Sequence, residues 1–288
     1  MDDILNDSRI SRIIQEALVE DIGLGDITTE SIVNSEILGN GVLLVKENGV
    51  VAGLDIAALV FQYVDPENTF TKMVDDGTRI DAGTVIAKVH GPLSNILKAE
   101  RTALNFLQRM SGIATITRQF VGAVAGTGAK ITDTRKTAPG LRLIDKLAVK
   151  TGGGVNHRFG LDDMVLIKDN HIEAAGGISK AIDQCLSYLS ASNIKVRIEV
   201  ETKNLDEIRE ALRFDGIHRI MFDNFTIDEM HKAVVLVSRK VETEASGKVN
   251  LENVQKIAET GVDFISIGAL THSVKALDIS LEVKHSPR

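Results

Sequence analysis

The chain has 288 residues, a net charge of −7, and 43% hydrophobic against 25% charged residues, the balance of a globular protein with length for one large or two medium domains. No apolar run reaches the roughly 18 residues a membrane-spanning helix needs, and Met1-Asp2-Asp3 is acidic where a signal peptide would be basic, so a cytoplasmic protein with no membrane partner is expected. The single cysteine, Cys185, excludes an internal disulfide, and the absence of Trp with only 4% aromatic residues argues against a nucleic-acid partner read by base stacking.

Ile10, Ile13, Ile14, Ala17 and Leu18 recur at helical spacing, closed by Gly23 and Gly25, and residues 20–29 read as a turn-rich connector. Val42 to Lys46 and Val50-Val51 flank Asn48-Gly49, a dipeptide suited to a tight hairpin. Leu54 to Tyr63 reads as a helix, and Phe70 to Val74 and Val85 to Val89 as strands. The first ninety residues are therefore a mixed, mainly antiparallel α+β unit. Pro92 suits the first turn of a helix running to about Met110; Gly112 then interrupts, and a second helix follows from Ile113 to Ala125.

After Lys130 the rhythm changes. Strand-like runs at Ala129 to Thr132, Met164 to Ile167, Val196 to Val200, Arg219 to Phe222, Val241 to Glu244 and Phe264 to Ile267 alternate with helix candidates at Ile178 to Leu189, Leu205 to Leu212, Thr226 to Val237 and Leu251 to Glu259. Strand-then-helix repeats with short connections imply parallel strands and right-handed crossovers. An open doubly wound sheet and a barrel both fit that pattern. Chemically capable residues follow every strand: Asp133, Arg135 and Lys136; Lys168; Glu201; Asp223; Ser246; Gly268. A barrel gathers all six strand ends on one rim, so an incomplete, about six-stranded parallel α/β barrel is preferred. Leu277 to Val283 alternates like a strand and is expected to return to the first domain.

The stretch from Thr134 to His171 holds seven Lys/Arg against four Asp, a local charge of +3 in an acidic chain. A concentrated positive patch threaded with Gly and Pro reads as a small anion site. Arginine grips carboxylate or phosphate through paired hydrogen bonds and lysine adds a compact charge, so Arg135, Lys136, Arg158 and Lys168, joined by His157, form a receptor for a multiply charged anion. Glu199 and Glu201 lie two apart on a strand and so share its inner face. Glu201 with Asp223 makes a carboxylate pair that holds Mg²⁺ or braces the barrel. Ser246-Gly247-Lys248 and Ile267-Gly268-Ala269 are small-residue turns leading toward helices, a setting for phosphate. Hydrolase, zinc-protease and zinc-deaminase motifs are absent.

Several runs resemble one family. Glu100-Arg101-Thr102-Ala103-Leu104-Asn105-Phe106-Leu107, Thr134-Arg135-Lys136-Thr137, Gly152-Gly153-Gly154-Val155-Asn156-His157-Arg158, Ile167-Lys168-Asp169-Asn170-His171 and Ile265-Ser266-Ile267-Gly268-Ala269 are similar to the quinolinate phosphoribosyltransferases, the carboxylating nicotinate-nucleotide pyrophosphorylases. The resemblance spans nearly the whole chain. It implies an N-terminal α/β sandwich domain over residues 1–112, rejoined by 274–288, and an α/β-barrel catalytic domain over residues 113–273. It implies transfer of phosphoribose from phosphoribosyl pyrophosphate to quinolinate with decarboxylation, giving nicotinate mononucleotide, pyrophosphate and CO₂ for NAD synthesis. It also implies a homodimer in which Arg101 is lent to the neighbouring subunit's site.

On that resemblance the substrates contact Arg101, Thr134, Arg135, Lys136, His157, Arg158, Lys168 and the loops 246–248 and 267–269, with Lys136, Lys168, Glu201 and Asp223 as catalytic groups. Glu201 and Asp223 would carry Mg²⁺, and Lys136 or His157 would protonate the decarboxylated ring. One departure stands out: the family pattern reads Ser-Gly-Gly where this chain has Ser246-Gly247-Lys248. Two alternatives differ in chemistry: a relative acting on nicotinate, which has one carboxylate fewer, and a non-catalytic barrel that senses a phosphorylated metabolite and has no need of Glu201 or Asp223.

Overall fold

Asp7 starts the first helix, Ser8–Ile22, by accepting the Arg9 backbone N–H at 2.9 Å, and Ile10, Ile14 and Leu18 bury one face of it. The computed structural model describes residues 7–285. By its internal contacts the chain forms two units: one comprises the described residues up to Arg118, Thr137–Gly153 and those from Leu270 onward, and the other Gln119–Lys136 and Gly154–Ala269.

In the first unit, β1 (Leu38–Val45) pairs antiparallel with β5 (Val85–Pro92), which pairs with β3 (Thr69–Lys72). Alternate residues of β1 are buried, as a half-covered sheet requires. The hairpin expected at Asn48-Gly49 does not form. Instead β2 (Gly49–Val50) pairs with β4 (Arg79–Ile80), the Val50 N–H donates to Thr115 Oγ1 at 2.9 Å, and Asn48 Oδ1 accepts from the Ala82 N–H. Long-range partners outcompete the local turn preference. Where the expected connector ends, residues Ile27–Ile32 form a short helix capped by Asp26.

The helix expected to break at Gly112 is one continuous element, Leu93–Ala123. A Cβ on Gly112 would lie 2.2 Å from the Lys275 carbonyl oxygen, so the glycine admits a passing backbone instead of ending the helix.

The second unit holds β6 (Lys130–Thr132), β7 (Met164–Ile167), β8 (Arg197–Thr202), β9 (Arg219–Asp223), β10 (Glu242–Ser246) and β11 (Phe264–Ser266). They form one all-parallel sheet in the order β6-β11-β10-β9-β8-β7. Each strand from β7 to β11 lies beside its chain neighbour, without the reversal of a doubly wound sheet, which is barrel order. β6 and β7 are not paired with each other, so the barrel is incomplete; Val155 adds a single bridge to Thr132 on β6. Helices Ile178–Ala191, Leu205–Ala211, Ile227–Val237 and Val254–Glu259 fill the connections. Thr226 and Glu229 start the third of these with a reciprocal capping box.

The chain then returns to the first unit. β12 (Ile279–His285) pairs antiparallel with β1, completing the sheet order β12-β1-β5-β3. Residues 137–153 also group with the first unit and include an unexpected helix, Arg142–Thr151, whose buried Asp145 takes a bidentate pair from Arg109 at 2.8 Å. The single cut expected between 112 and 113 thus falls inside a helix, and the cationic stretch divides: Arg142, Lys146 and Lys150 belong to one unit, Arg135, Lys136, Arg158 and Lys168 to the other.

Candidate active site

Strand register decides which side chains share a level at the carboxyl ends. Ile167 pairs with Val200 and Glu201 with Met221, so Lys168, one residue beyond β7, stands beside Glu201, with Nζ 3.8 Å from Oε2. Burial raises the Glu201 carboxyl above its usual range; Lys168 opposes that and the charge of Asp223 adds to it. Two carboxylates that repel each other beside an open rim are a hard-oxygen donor set suited to Mg²⁺ shared with substrate phosphates.

Asp223 is level with Ser246, and its Oδ2 accepts from Asn224 Nδ2 at 2.9 Å. Asn224 takes a left-handed backbone, φ 57°, and donates its N–H to the Ser246 carbonyl at 2.9 Å. Gly247 follows at φ 102°, and a Cβ there would fall 2.4 Å from Asn224 Oδ1. Lys248 also has positive φ, 52°, a conformation costing a non-glycine residue roughly 1 kcal/mol, which explains a glycine in the family pattern. Beyond the first turn the helix expected over Leu251 to Glu259 forms from Val254, and a four-residue helix, Ala269–His272, follows the second. Ile267 anchors the second loop by donating its N–H to the Thr132 carbonyl at 2.9 Å.

The cationic wall is built from β6 and the segment after Gly154. Asp133 is fully buried and accepts the His157 backbone N–H at 2.8 Å. His157 Nδ1 accepts the Arg158 N–H at 2.8 Å, while Nε2 lies 2.9 Å from Glu199 Oε2 and 3.6 Å from Glu244 Oε2. The His157 side chain is 5% exposed. Expected as a rim cation, it turns inward with both nitrogens engaged by the protein. Arg158 donates Nη1 to the Met164 carbonyl at 3.1 Å, and burial first, then Arg135, destabilise its positive charge. Arg135 Nε is buried without a hydrogen-bond partner. Lys136 is exposed.

Beneath this wall lies a charged interior, of which the sequence reading placed only Glu199 on the inner face. Glu199 and Glu244 are fully buried, and burial pushes both carboxyls up to about 7, Glu244 further raised by Glu199. Arg219 on the intervening strand donates Nη1 to Glu244 Oε2 at 2.7 Å and its Nε and Nη2 to Glu242 Oε2 at 3.2 and 3.1 Å, with its guanidinium 3.8 Å from the Phe264 ring centroid. Ligand atoms of His157, Glu199 and Glu244 lie within 4.8 Å of one another, and Arg219 already supplies positive charge there. Asn224, Arg219 and Glu244 were the missed supports; charged residues alternating along Glu242-Thr243-Glu244 were the available signal.

Arg101 is an exposed residue of Leu93–Ala123 in the first unit. A hollow of about 850 Å³ opens at the opposite, amino-terminal end of the six-stranded sheet, lined by Arg197, His218, Lys240 and Asp263 among others, and includes none of the rim residues. Volume does not locate the chemistry here; convergence of charged groups does.

An incomplete α/β barrel with guanidinium and ammonium groups beside a carboxylate pair on its carboxyl-terminal rim defines a barrel enzyme for small anionic substrates. Models of the quinolinate phosphoribosyl transferase N-terminal and C-terminal domains match residues 26–111 and 113–282. A chloroplastic nicotinate-nucleotide pyrophosphorylase [carboxylating] of Arabidopsis thaliana is 47% identical, covering 95% of this chain and 82% of its own. A mitochondrial quinolinate phosphoribosyltransferase [decarboxylating] of Nicotiana glauca is also 47% identical with the same coverage. The crystal structure of a nicotinate-nucleotide pyrophosphorylase from Ehrlichia chaffeensis superposes with TM-score 0.89 at 42% identity, over 95% of this chain and 98% of that one. The chain belongs to the quinolinate phosphoribosyltransferase family.

Proposed function

We propose that this chain transfers phosphoribose from phosphoribosyl pyrophosphate to quinolinate and releases pyrophosphate and CO₂, forming nicotinate mononucleotide for NAD synthesis. Besides the family membership, one observation carries the reading: Arg135 and Arg158 are packed closely enough for Arg135 to destabilise the Arg158 cation, and Arg135 Nε is buried without a partner. Two crowded guanidinium groups are held ready for anions, and quinolinate brings two adjacent carboxylates.

Lys168 and Lys136 add charge at the same wall, and Thr134 supports the turn through its Oγ1, which accepts the Lys136 N–H at 3.1 Å. The loops Ser246-Gly247-Lys248 and Ile267-Gly268-Ala269 would receive the phosphates, their small residues allowing close backbone approach. Glu201 and Asp223 would hold Mg²⁺, which when bound neutralises the pyrophosphate leaving group. These carboxylates would also stabilise the positive charge that develops on the ribose carbon as the pyridine nitrogen attacks. Loss of the carboxylate beside the now quaternary nitrogen leaves a ring carbanion. With His157 turned inward, Lys136 is the group left to deliver the proton.

Homodimerisation, with Arg101 entering the neighbouring subunit's site, belongs to the same reading and is supported by Arg101 being exposed on a long helix. Among the described residues no helix is long and apolar enough to cross a membrane. A cytoplasmic location is part of the same reading, and cell fractionation checks it against the organellar naming of plant relatives. The deciding experiment incubates the protein with quinolinate, phosphoribosyl pyrophosphate and Mg²⁺ and follows nicotinate mononucleotide and CO₂ together. Turnover of nicotinate in place of quinolinate, without CO₂, would reject the assignment.

A further inference from the structure

We infer that Glu199 and Glu244 are positioning residues for quinolinate, acting through the inward-facing His157 ring on Arg158; this rests on the reading of the rim given above. The chain of contacts is continuous. Arg219 is held by Glu242 and by the Phe264 face, and it fixes the Glu244 carboxylate at 2.7 Å. Glu244 and Glu199, from strands on either side of β9, close on His157 Nε2 at 3.6 and 2.9 Å. His157 Nδ1 then takes the N–H of Arg158 itself at 2.8 Å, while the His157 N–H is tied to Asp133. The backbone that carries the Arg158 guanidinium is thus clamped on one side by a buried aspartate and on the other by an imidazole whose orientation the two glutamates set.

A role confined to stability explains this poorly. Burying two carboxylates costs more than apolar side chains of the same size, and buried ion pairs are frequently replaceable by apolar residues without loss of stability. Neither carboxylate reaches the rim: both residues are fully buried, and the ring between them is 5% exposed. Besides each other and Ser266, the groups these carboxylates face are the imidazole, 2.9 Å from Glu199 Oε2, and Arg219, which donates to Glu244 Oε2. What they hold in place is the ring, and what the ring holds is Arg158. Misplacing a substrate-gripping group by about 1 Å is enough to cost up to roughly a hundredfold in turnover efficiency.

The test uses Glu199→Gln, Glu244→Gln and the double replacement Arg219→Met with Glu244→Leu, which removes the buried pair together and keeps a variant that folds if a single change does not. Steady-state kinetics with each substrate varied separately should show the KM for quinolinate raised about tenfold or more, with kcat at saturating quinolinate and the KM for phosphoribosyl pyrophosphate within about twofold of wild type. Equal weakening of both substrates, or loss of kcat with the quinolinate KM unchanged, would overturn the inference, as would variants that behave as wild type. If a variant melts early, equilibrium binding of quinolinate to the double variant decides: wild-type affinity rejects the positioning role. Wild type that forms no nicotinate mononucleotide rejects the functional reading beneath it, a failure distinct from active wild type with unshifted variants.

Discussion

At the scale of single residues, the site is a set of charges whose surroundings decide what each is free to do. Arg135 and Arg158 share a half-buried wall, and among the described residues no carboxylate is bonded to either guanidinium, so removing one should weaken quinolinate binding most. Arg135→Ala and Arg158→Ala should each raise the quinolinate requirement by roughly 2 to 5 kcal/mol, read as a shift in KM with the phosphoribosyl pyrophosphate KM nearly constant. Lys136→Met should instead lower kcat, by about 10² to 10⁴ if it delivers the ring proton, while quinolinate is still bound. A kcat within a few-fold of wild type would reassign the proton. The buried glutamates give a pH signature of stability. Because burial holds Glu199 and Glu244 near 7 in the folded chain, against the usual 4.5 when unfolded, folding takes up protons between those values. Their cost is therefore present above pH 7 and relieved as the pH falls toward 5. Melting temperature should rise on acidification through that window, and Glu244→Gln should flatten the rise by on the order of 5 °C.

At the scale of elements, what the sequence disclosed and what it hid follow the range of the interactions. All six parallel strands were legible, because each is a short buried run bounded by polar residues at the rim, a local pattern; so was the return of the last strand. The Asn48-Gly49 hairpin was misread because the competing partners, Thr115 and Ile80, are distant in sequence. The helix Arg142–Thr151 was overlooked because its cations drew attention from Ile144, Ala148 and Val149, which are buried along one side. The sequence placed Arg135, Lys168, Glu201 and Asp223 near strand ends, and Lys168 does stand beside Glu201, but the inward turn of His157 was not legible, since its cause, Glu199 and Glu244, lies on other strands. Gly112 shows the same limit and allows a measurement. Alanine normally improves a helix interior by roughly 1 kcal/mol over glycine. Here the new methyl would meet the Lys275 carbonyl oxygen at 2.2 Å, and backbone cannot swing aside as a side chain tip does. Gly112→Ala should therefore destabilise, by about 1 to 3 kcal/mol in denaturant titration, reversing the sign that propensity alone dictates.

At the scale of the whole molecule, the catalytic barrel carries its own cations at the rim, yet Arg101, in the family-like run Glu100 to Leu107, is exposed on a helix of the other unit. A solvated helix charge does nothing for its own fold, so its proposed use lies in a second copy of the chain. A symmetric dimer makes that use testable, because each site then draws on two chains. Arg101→Ala keeps its rim intact but lends nothing; Arg135→Ala lends its Arg101 but has a damaged rim. Either homodimer should be nearly inactive. In a mixed dimer one site combines an intact rim with an intact borrowed arginine, and the other lacks both. With free exchange half of the dimers are mixed, so about a quarter of all sites should recover. Mixing the two variants under conditions where labelled subunits exchange, and assaying nicotinate mononucleotide, should return activity toward that fraction with wild-type KM for quinolinate. Demonstrated exchange with no recovery would mean that Arg101 serves its own chain or none, and the site would then have to meet both carboxylates with Arg135, Lys136, Arg158 and Lys168 alone.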